Sequence, residues 1–179
     1  MEVSSLDYCP YYCEENVWRL LARPEFAGAE TWALAVFGAG TSVPVLHQRL
    51  GRPGDGLVYW DYHVLALARQ AGEVLVLDFD SDLPFPSPAA DYLGAAFPPA
   101  PRTVFRLMDG RAYCHSLVSD RSHMRRADGS WLAPPPAWPS PEASPGVRPW
   151  FLAAILDPNL AGIGSLLDLE GLLANLARG

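Results

Sequence analysis

The sequence predicts an α+β fold, with a mostly antiparallel sheet flanked by helices as an α-β-α sandwich, in one domain over residues 1–179. Three observations lead there. Half of the 179 residues are hydrophobic and 18% are charged, a balance that supports one buried core. Amphipathic helical spacing occurs near both ends of the chain. Between them lie strand-length apolar runs, two of which are joined by a turn short enough for an antiparallel hairpin.

The first helix is expected over residues 13–22, with Val17, Leu20 and Leu21 at helical spacing and Pro24 beyond its end. Glu14 and Glu15 complement the positive end of its dipole. Residues 31–37 read as a buried strand, 38–40 as a turn, and 43–47 as a short edge strand interrupted by Pro44. Arg52-Pro-Gly-Asp-Gly56 is a turn-dense loop before the clearest strand, 58–68. A turn around 69–72 leads to a second strand, 74–80. The stretch 83–88 is irregular, 91–97 a short helix and 103–108 a further strand. Residues 119–149 are mostly loop, punctuated by Trp131 and Trp138, with Trp150 just beyond. The last helix is expected over 165–177, capped by Ser165 with Asp168 in the reciprocal position. Its apolar stripe is Leu166, Leu169, Leu172, Leu173 and Leu176.

Net charge is −7, and all 13 basic residues are arginine. That balance disfavours a nucleic-acid groove or an anionic membrane surface as partner, the cluster Arg121, Arg125 and Arg126 notwithstanding. No apolar run approaches the ~18 residues of a membrane span. The first five residues have neither the basic start nor the apolar stretch of a secretory signal. Three cysteines do not make a disulfide framework, so a reducing compartment is expected. That means the cytoplasm, and in a eukaryote also the nucleus. A monomer is the expected state.

The strand pair carries the chemistry. Asp61 and His63 share a face, since side chains repeat every second residue. An even hairpin loop places His63 directly opposite Asp78 with Cβ atoms ~4.5–5.5 Å apart. In that arrangement a carboxylate orients an imidazole and stabilises its protonated form. An odd loop puts the two on opposite faces. The plainer alternative is a cross-strand hydrogen bond that satisfies a half-buried histidine. Cys13 is the candidate nucleophile, because free N–H groups and the dipole at a helix start favour a thiolate and can hold an oxyanion. Glu14 and Glu15 oppose this, so His63 must supply compensating charge; the alternative is a small buried cysteine. Cys9-x-x-x-Cys13 lacks a second close ligand pair, so no metal site is expected. Gly38-Ala-Gly40 lacks the third glycine of a dinucleotide loop, and Asp78, Asp80 and Asp82 start no complete calcium loop. Ser119-Asp-Arg-Ser-His-Met124 reads as a binding loop or a hydrogen-bonded turn.

Six segments, in order, resemble the protein N-terminal glutamine amidohydrolase family. They are Tyr12-Cys-Glu-Glu-Asn-Val-Trp18, Arg52-Pro-Gly-Asp-Gly56, Trp60-Asp-Tyr-His-Val64, Asp78-Phe-Asp80 with Leu83-Pro-Phe-Pro86, Ser119–Met124, and Trp131 ahead of Pro134-Pro-Pro136. The likeness spans roughly residues 8–136, with a fainter echo at Asp157-Pro158. It implies a Cys–His–Asp enzyme that hydrolyses the side-chain amide of a glutamine at a protein's N-terminus, giving glutamate and ammonia. In eukaryotes the family feeds the N-end rule route. The family's triad maps onto Cys13, His63 and Asp78, on a core related to papain-like enzymes and transglutaminases, with no metal or organic cofactor. The partners implied are proteins or peptides with an N-terminal glutamine. Such an enzyme must read the free α-ammonium, and the candidates are Asp61, Asp80, Asp120 and Glu14, with Asp61 first because it shares a face with His63. The competing readings are another Cys–His–Asp acyl-transfer enzyme (a peptidase, transglutaminase or deamidase of internal glutamines) and a catalytically silent module that binds N-termini.

Overall fold

The computed structural model describes residues 6–38, 40–99 and 102–178. Residues 1–5, where the sequence lacks a secretory-signal pattern, and residue 39, inside the expected turn, lie outside them. In chain order the elements are α1 (Cys13–Leu21), β1 (Thr31–Gly38), β2 (Val43–Val45), β3 (Val58–Trp60), β4 (Tyr62–Gln70), β5 (Glu73–Leu77), β6 (Ser87–Pro88), α2 (Ala89–Ala96), β7 (Thr103–Asp109), α3 (Gly110–Ser116), β8 (Leu117–Val118), β9 (Trp150–Phe151), α4 (Leu152–Ile155), β10 (Ser165–Leu167) and α5 (Leu169–Leu176).

Six strands form one sheet in the order β10-β7-β1-β4-β5-β6, each neighbouring pair antiparallel. β1 lies between β4 and β7 and is buried on both faces. Ala33, Ala35 and Phe37 meet Val17 and Leu20 of α1 and Tyr113 of α3. Leu34 and Val36 meet Tyr92 and Leu93 of α2 and Leu172 and Leu176 of α5. Period-two alternation therefore divides one strand between two cores, with helices on either side. Among the described residues, no helix is long and apolar enough to cross a membrane.

Three departures from the expected elements shape the site. The strand expected over 58–68 breaks at Asp61. β3 pairs with β2 in a separate ribbon, while β4 joins the central sheet. The physical reason is exposure: Tyr59 faces solvent whereas His63–Ala68 are buried on both faces, and one straight strand cannot serve both environments. The second strand was expected over 74–80, but its ladder ends at Leu77, which frees Asp78–Asp80 to turn. The hairpin closes over the two residues Ala71 and Gly72, both with positive φ (51° and 85°), the backbone of a type I′ turn. The loop is even, as the His63–Asp78 argument requires. The register is two residues later, so His63 projects opposite Asp80, with Asp78 diagonal to it.

At the C-terminus the helix expected over 165–177 is shorter. Ser165–Leu167 instead adds strand β10 to the edge of β7, where it satisfies backbone groups that would otherwise be open. Gly164 permits this approach, because a Cβ there would lie 2.2 Å from the Leu107 carbonyl oxygen. Asp168, not Ser165, caps α5, accepting from the Gly171 amide at 2.8 Å. Leu166 consequently leaves the stripe and is 39% exposed. α3 was not expected; Asp109 caps it by accepting from the Ala112 amide.

Candidate active site

The sulfur of Cys13 stands where α1 begins. The loop before the helix is clamped by Asn16, whose side chain accepts from the Cys9 amide at 2.8 Å and donates to the Cys9 carbonyl at 2.9 Å. Tyr11 is held at φ 69°, a left-handed conformation unusual for an aromatic residue. Tyr12 is buried and donates its hydroxyl to the Ala133 carbonyl. These contacts fix the first turn. Beyond the end of the β4–β5 ladder, the Val64 backbone faces the Cys13 sulfur and favours its thiolate. The thiol is thereby set beside the residue after His63.

Cys13 and His63 line the same cleft of about 480 Å³, which opens where β4 begins. His63 Nε2 lies 2.9 Å from Asp78 Oδ1, both side chains being buried. Nδ1 has no hydrogen-bond partner among the described residues, which leaves it for the cleft. Burial alone would push the imidazole's pKa down, but the Asp78 carboxylate outweighs it and the net shift is upward. Burial likewise opposes ionisation of Asp78, and the imidazole and other donors reverse that to a lowered pKa. Those donors are the Tyr92 hydroxyl and the Asp80 amide at 3.0 Å; Gln48 Nε2 also donates to Asp78, at 3.1 Å. Gln48 is itself oriented by Trp60, whose Nε1 donates to Gln48 Oε1, and the Trp60 ring stacks on His63. Bending the chain at Asp61 brings Trp60 to this position.

The other acidic candidates divide. Asp80 is 7% exposed and lines the cleft; Oδ1 accepts from the Tyr8 hydroxyl at 2.5 Å. Asp61 also lines it, but on the exposed rim. Glu14 is buried beside the cleft. Oε2 accepts from Tyr62 Oη and lies 3.8 Å from the Cys13 sulfur, while Oε1 has no hydrogen-bond partner and lies 3.6 Å from His123 Nε2. Burial pushes its carboxyl up to about 7. Asp120 is exposed and is not among the residues that line the cleft. Its carboxylate accepts from the Ser122 amide and holds the turn Ser122–Met124. The segment is thus a hydrogen-bonded turn, and its His123 and Met124 line the cleft. Glu15 is neutralised apart from the site by a bidentate contact with Arg121 and by Trp138 Nε1.

Cys13 is thus surrounded by carboxylates. Burial first, then Glu14 and Asp80, raise its thiol pKa well above the usual value, against the lowering effect of the Val64 backbone. His63, Asp78 and Asp80 bring ligand-type atoms within 4.8 Å of one another, the one such cluster among the described residues. His63 Nε2 and both Asp78 oxygens are already engaged in hydrogen bonds, which account for the cluster without a cation. Cys9 is not near it; its thiol donates to the Pro134 carbonyl. Sequence reasoning missed Gln48, Trp60, Tyr92 and Tyr8. They come from a loop, a ribbon end, a short helix and the leading segment, and no spacing rule links them.

A thiol, a histidine opening onto the same cleft and a buried carboxylate behind its ring can carry acyl transfer. Comparison with known proteins narrows that chemistry. The family described as N-terminal glutamine amidase matches residues 8–148. Relatives named protein N-terminal glutamine amidohydrolase from Drosophila pseudoobscura pseudoobscura, Drosophila grimshawi and Drosophila melanogaster are each 38% identical over 150 residues. The alignments cover 77% of this chain and 73% of each relative.

Proposed function

The chain belongs to the N-terminal glutamine amidase family, and from that premise we propose that it hydrolyses the side-chain amide of an N-terminal glutamine, with Cys13 as nucleophile, His63 as acid and base, and Asp78 as the group that orients His63. The observation that carries the reading is the opening of Cys13 and His63 onto one cleft with Asp78 behind the imidazole.

The thiol gives its proton to His63 Nδ1, and the thiolate attacks the γ-carboxamide carbon. The imidazolium returns the proton to the leaving nitrogen, the C–N bond breaks, and ammonia departs from a thioester. His63 then takes a proton from water as its oxygen adds to the thioester carbon. The C–S bond breaks, the sulfur recovers its proton, and glutamate remains at the N-terminus. Asp78 fixes the tautomer and stabilises the imidazolium in both halves. The N–H groups that open α1 are the natural donors to the oxyanion. No step calls for a metal or an organic cofactor.

The reading includes a single catalytic domain acting as a monomer in the cytoplasm on protein or peptide substrates. It is supported by three free thiols suited to a reducing compartment. The test is mass spectrometry of a glutamine-initiated peptide with parallel detection of ammonia. A gain of about 1 Da without chain cleavage or amine incorporation is expected, abolished in Cys13→Ala. Full deamidation by Cys13→Ala overturns the scheme. A peptide beginning with asparagine, one methylene shorter, is expected to react weakly or not at all.

A further inference from the structure

A thiolate must form in a cleft whose fixed charge is negative. Glu14 follows Cys13 on α1, Asp78 and Asp80 approach from the end of β5, and Asp61 stands on the rim. Facing them are the imidazoles of His63 and His123 and the phenols of Tyr62 and Tyr113. Burial lowers the pKa of His123 and so disfavours its cation, even with Nε2 3.6 Å from Glu14 Oε1. No arginine lines the cleft among the described residues. Arg49, whose charge acts on Asp80 from outside the cleft, directs its Nε to the Ser81 carbonyl. The cation the site lacks is one that an N-terminal glutamine brings, since an α-amine is protonated below about pH 8.

The two carboxylates that line the cleft, and Glu14 beside it, offer it different welcomes. Asp61 is exposed, and an ion pair in water is worth little. Glu14 does not line the cavity, and Tyr62 covers its Oε2. Asp80 lines the cavity, is more than nine-tenths buried, and uses only Oδ1 on Tyr8; Oδ2 has no partner among the described residues. It also lies close to the His63 ring. A glutamine anchored there by its nitrogen extends its amide carbon about 5 Å away, one bond further than asparagine.

We propose that Asp80 receives the substrate's α-ammonium and that this cation, seated beside Cys13 and His63, is what allows the thiolate–imidazolium pair to form. The inference rests on the glutamine-amidase reading above and adds to it that the N-terminus is read in the chemical step as well as in binding. Without the cation, proton transfer from Cys13 to His63 places a new negative charge beside Glu14 and Asp80. With it, Asp80 is neutralised and the transfer becomes favourable. An internal glutamine, lacking the amine, meets an unarmed thiol.

The experiment compares Gln-Gly-Gly with 4-carbamoylbutanoyl-Gly-Gly, the same peptide with hydrogen in place of the amine, on wild type and on Asp80→Asn. Loss of the amine is expected to lower kcat about 100-fold, the size of one unit charge ~6 Å away at an effective dielectric of about 20. Asp80→Asn should raise the KM of Gln-Gly-Gly, because the ammonium loses its partner, and should raise kcat on the desamino peptide above that of wild type, because it removes the charge beside the sulfur that the ammonium would have neutralised. Methylammonium should partly restore desamino turnover in wild type but not in Asp80→Asn. The kcat/KM of Gln-Gly-Gly should fall above about pH 8 as the amine deprotonates, a fall the desamino peptide lacks. A desamino kcat equal to that of Gln-Gly-Gly, with only KM raised, overturns the inference. So does an Asp80→Asn defect of equal size on both peptides, which marks a structural role. If Asp80→Asn does not fold, the two peptides and methylammonium decide on wild type alone. Absence of any Cys13-dependent deamidation of Gln-Gly-Gly would instead defeat the reading underneath.

Discussion

Asp78→Asn isolates the charge behind the histidine. The substitution keeps the side chain's shape and still offers an oxygen to His63 Nε2, but it removes a negative charge from a site closed to solvent. With Nε2 and Oδ1 2.9 Å apart, the charge centres are close. For unit charges ~4 Å apart at an effective dielectric of about 20, the attraction is about 4 kcal/mol. In the proposed mechanism the imidazolium forms on the way to the thioester, so most of this enters the barrier. The expected loss is about a thousandfold in kcat, at ~1.36 kcal/mol per factor of ten. Geometry adds to it. The new amide nitrogen cannot accept from Tyr92 or from Gln48 Nε2, and Gln48 cannot turn over because Trp60 holds its Oε1. The assay is ammonia release, read with a thermal melt of the same sample. Folded Asp78→Asn within about tenfold of wild-type kcat would falsify the orienting role. The melts carry a second check. Asp78's lowered pKa contributes stability that is present above the ordinary carboxylate range and is lost as pH falls through the lowered value. The raised pKa of His63 contributes stability present below its ordinary value and lost as pH rises through the raised one. The gap between the two melting temperatures should therefore be widest between those limits and close on either side.

What the sequence made legible was what depends on local period. α1 and its start at Cys13 followed from helical spacing, and β1 from a continuous apolar run. The shared face of His63 and Asp78 followed from an even loop, and parity survived even though the register was two residues off. What stayed hidden depends on where strands end. Nothing in the sequence 58–68 marks the change of partner at Asp61, since Val58–Trp60 and Tyr62–Gln70 both carry strand-forming residues. That break sets Trp60 against His63 and, through Gln48, braces Asp78. Asp61 ranked first as ammonium reader because strand parity aligned it with His63. The bend cancels that alignment and leaves it on the rim, while Asp80 inherits the buried place. α3 was missed because a seven-residue helix opened by glycine has almost no period to detect, and β10 because its leucines continue the spacing of α5.

Three further perturbations probe other parts of the argument. Glu14→Gln removes a carboxyl raised to about 7, which costs stability once pH exceeds its ordinary value and increasingly up to that point. The variant should gain roughly 3 kcal/mol on wild type between about pH 4 and pH 8, and Cys13 should alkylate faster; a pH-independent difference in unfolding free energy rules this out. Ala71→Asn relieves a left-handed alanine (φ 51°) at the hairpin turn, and denaturant unfolding should show a gain of ~0.5–1 kcal/mol. No gain would mean that the turn stores no strain. Arg121→Ala leaves Glu15, 0% exposed, with only the Trp138 indole as donor, a loss of about 3–5 kcal/mol if the carboxylate stays charged. Arg121 also donates to the Trp138 carbonyl, pinning the segment whose His123, Met124 and Leu132 form the cleft wall, so KM should rise with the loss of stability. The double variant Glu15→Gln, Arg121→Met separates the two effects. It removes the buried charge along with its partner, so most of the stability should return while KM stays high. If the double variant melts no higher than Arg121→Ala, the cost does not come from an unpaired carboxylate, and the contact between α1 and the wall must be explained by packing instead.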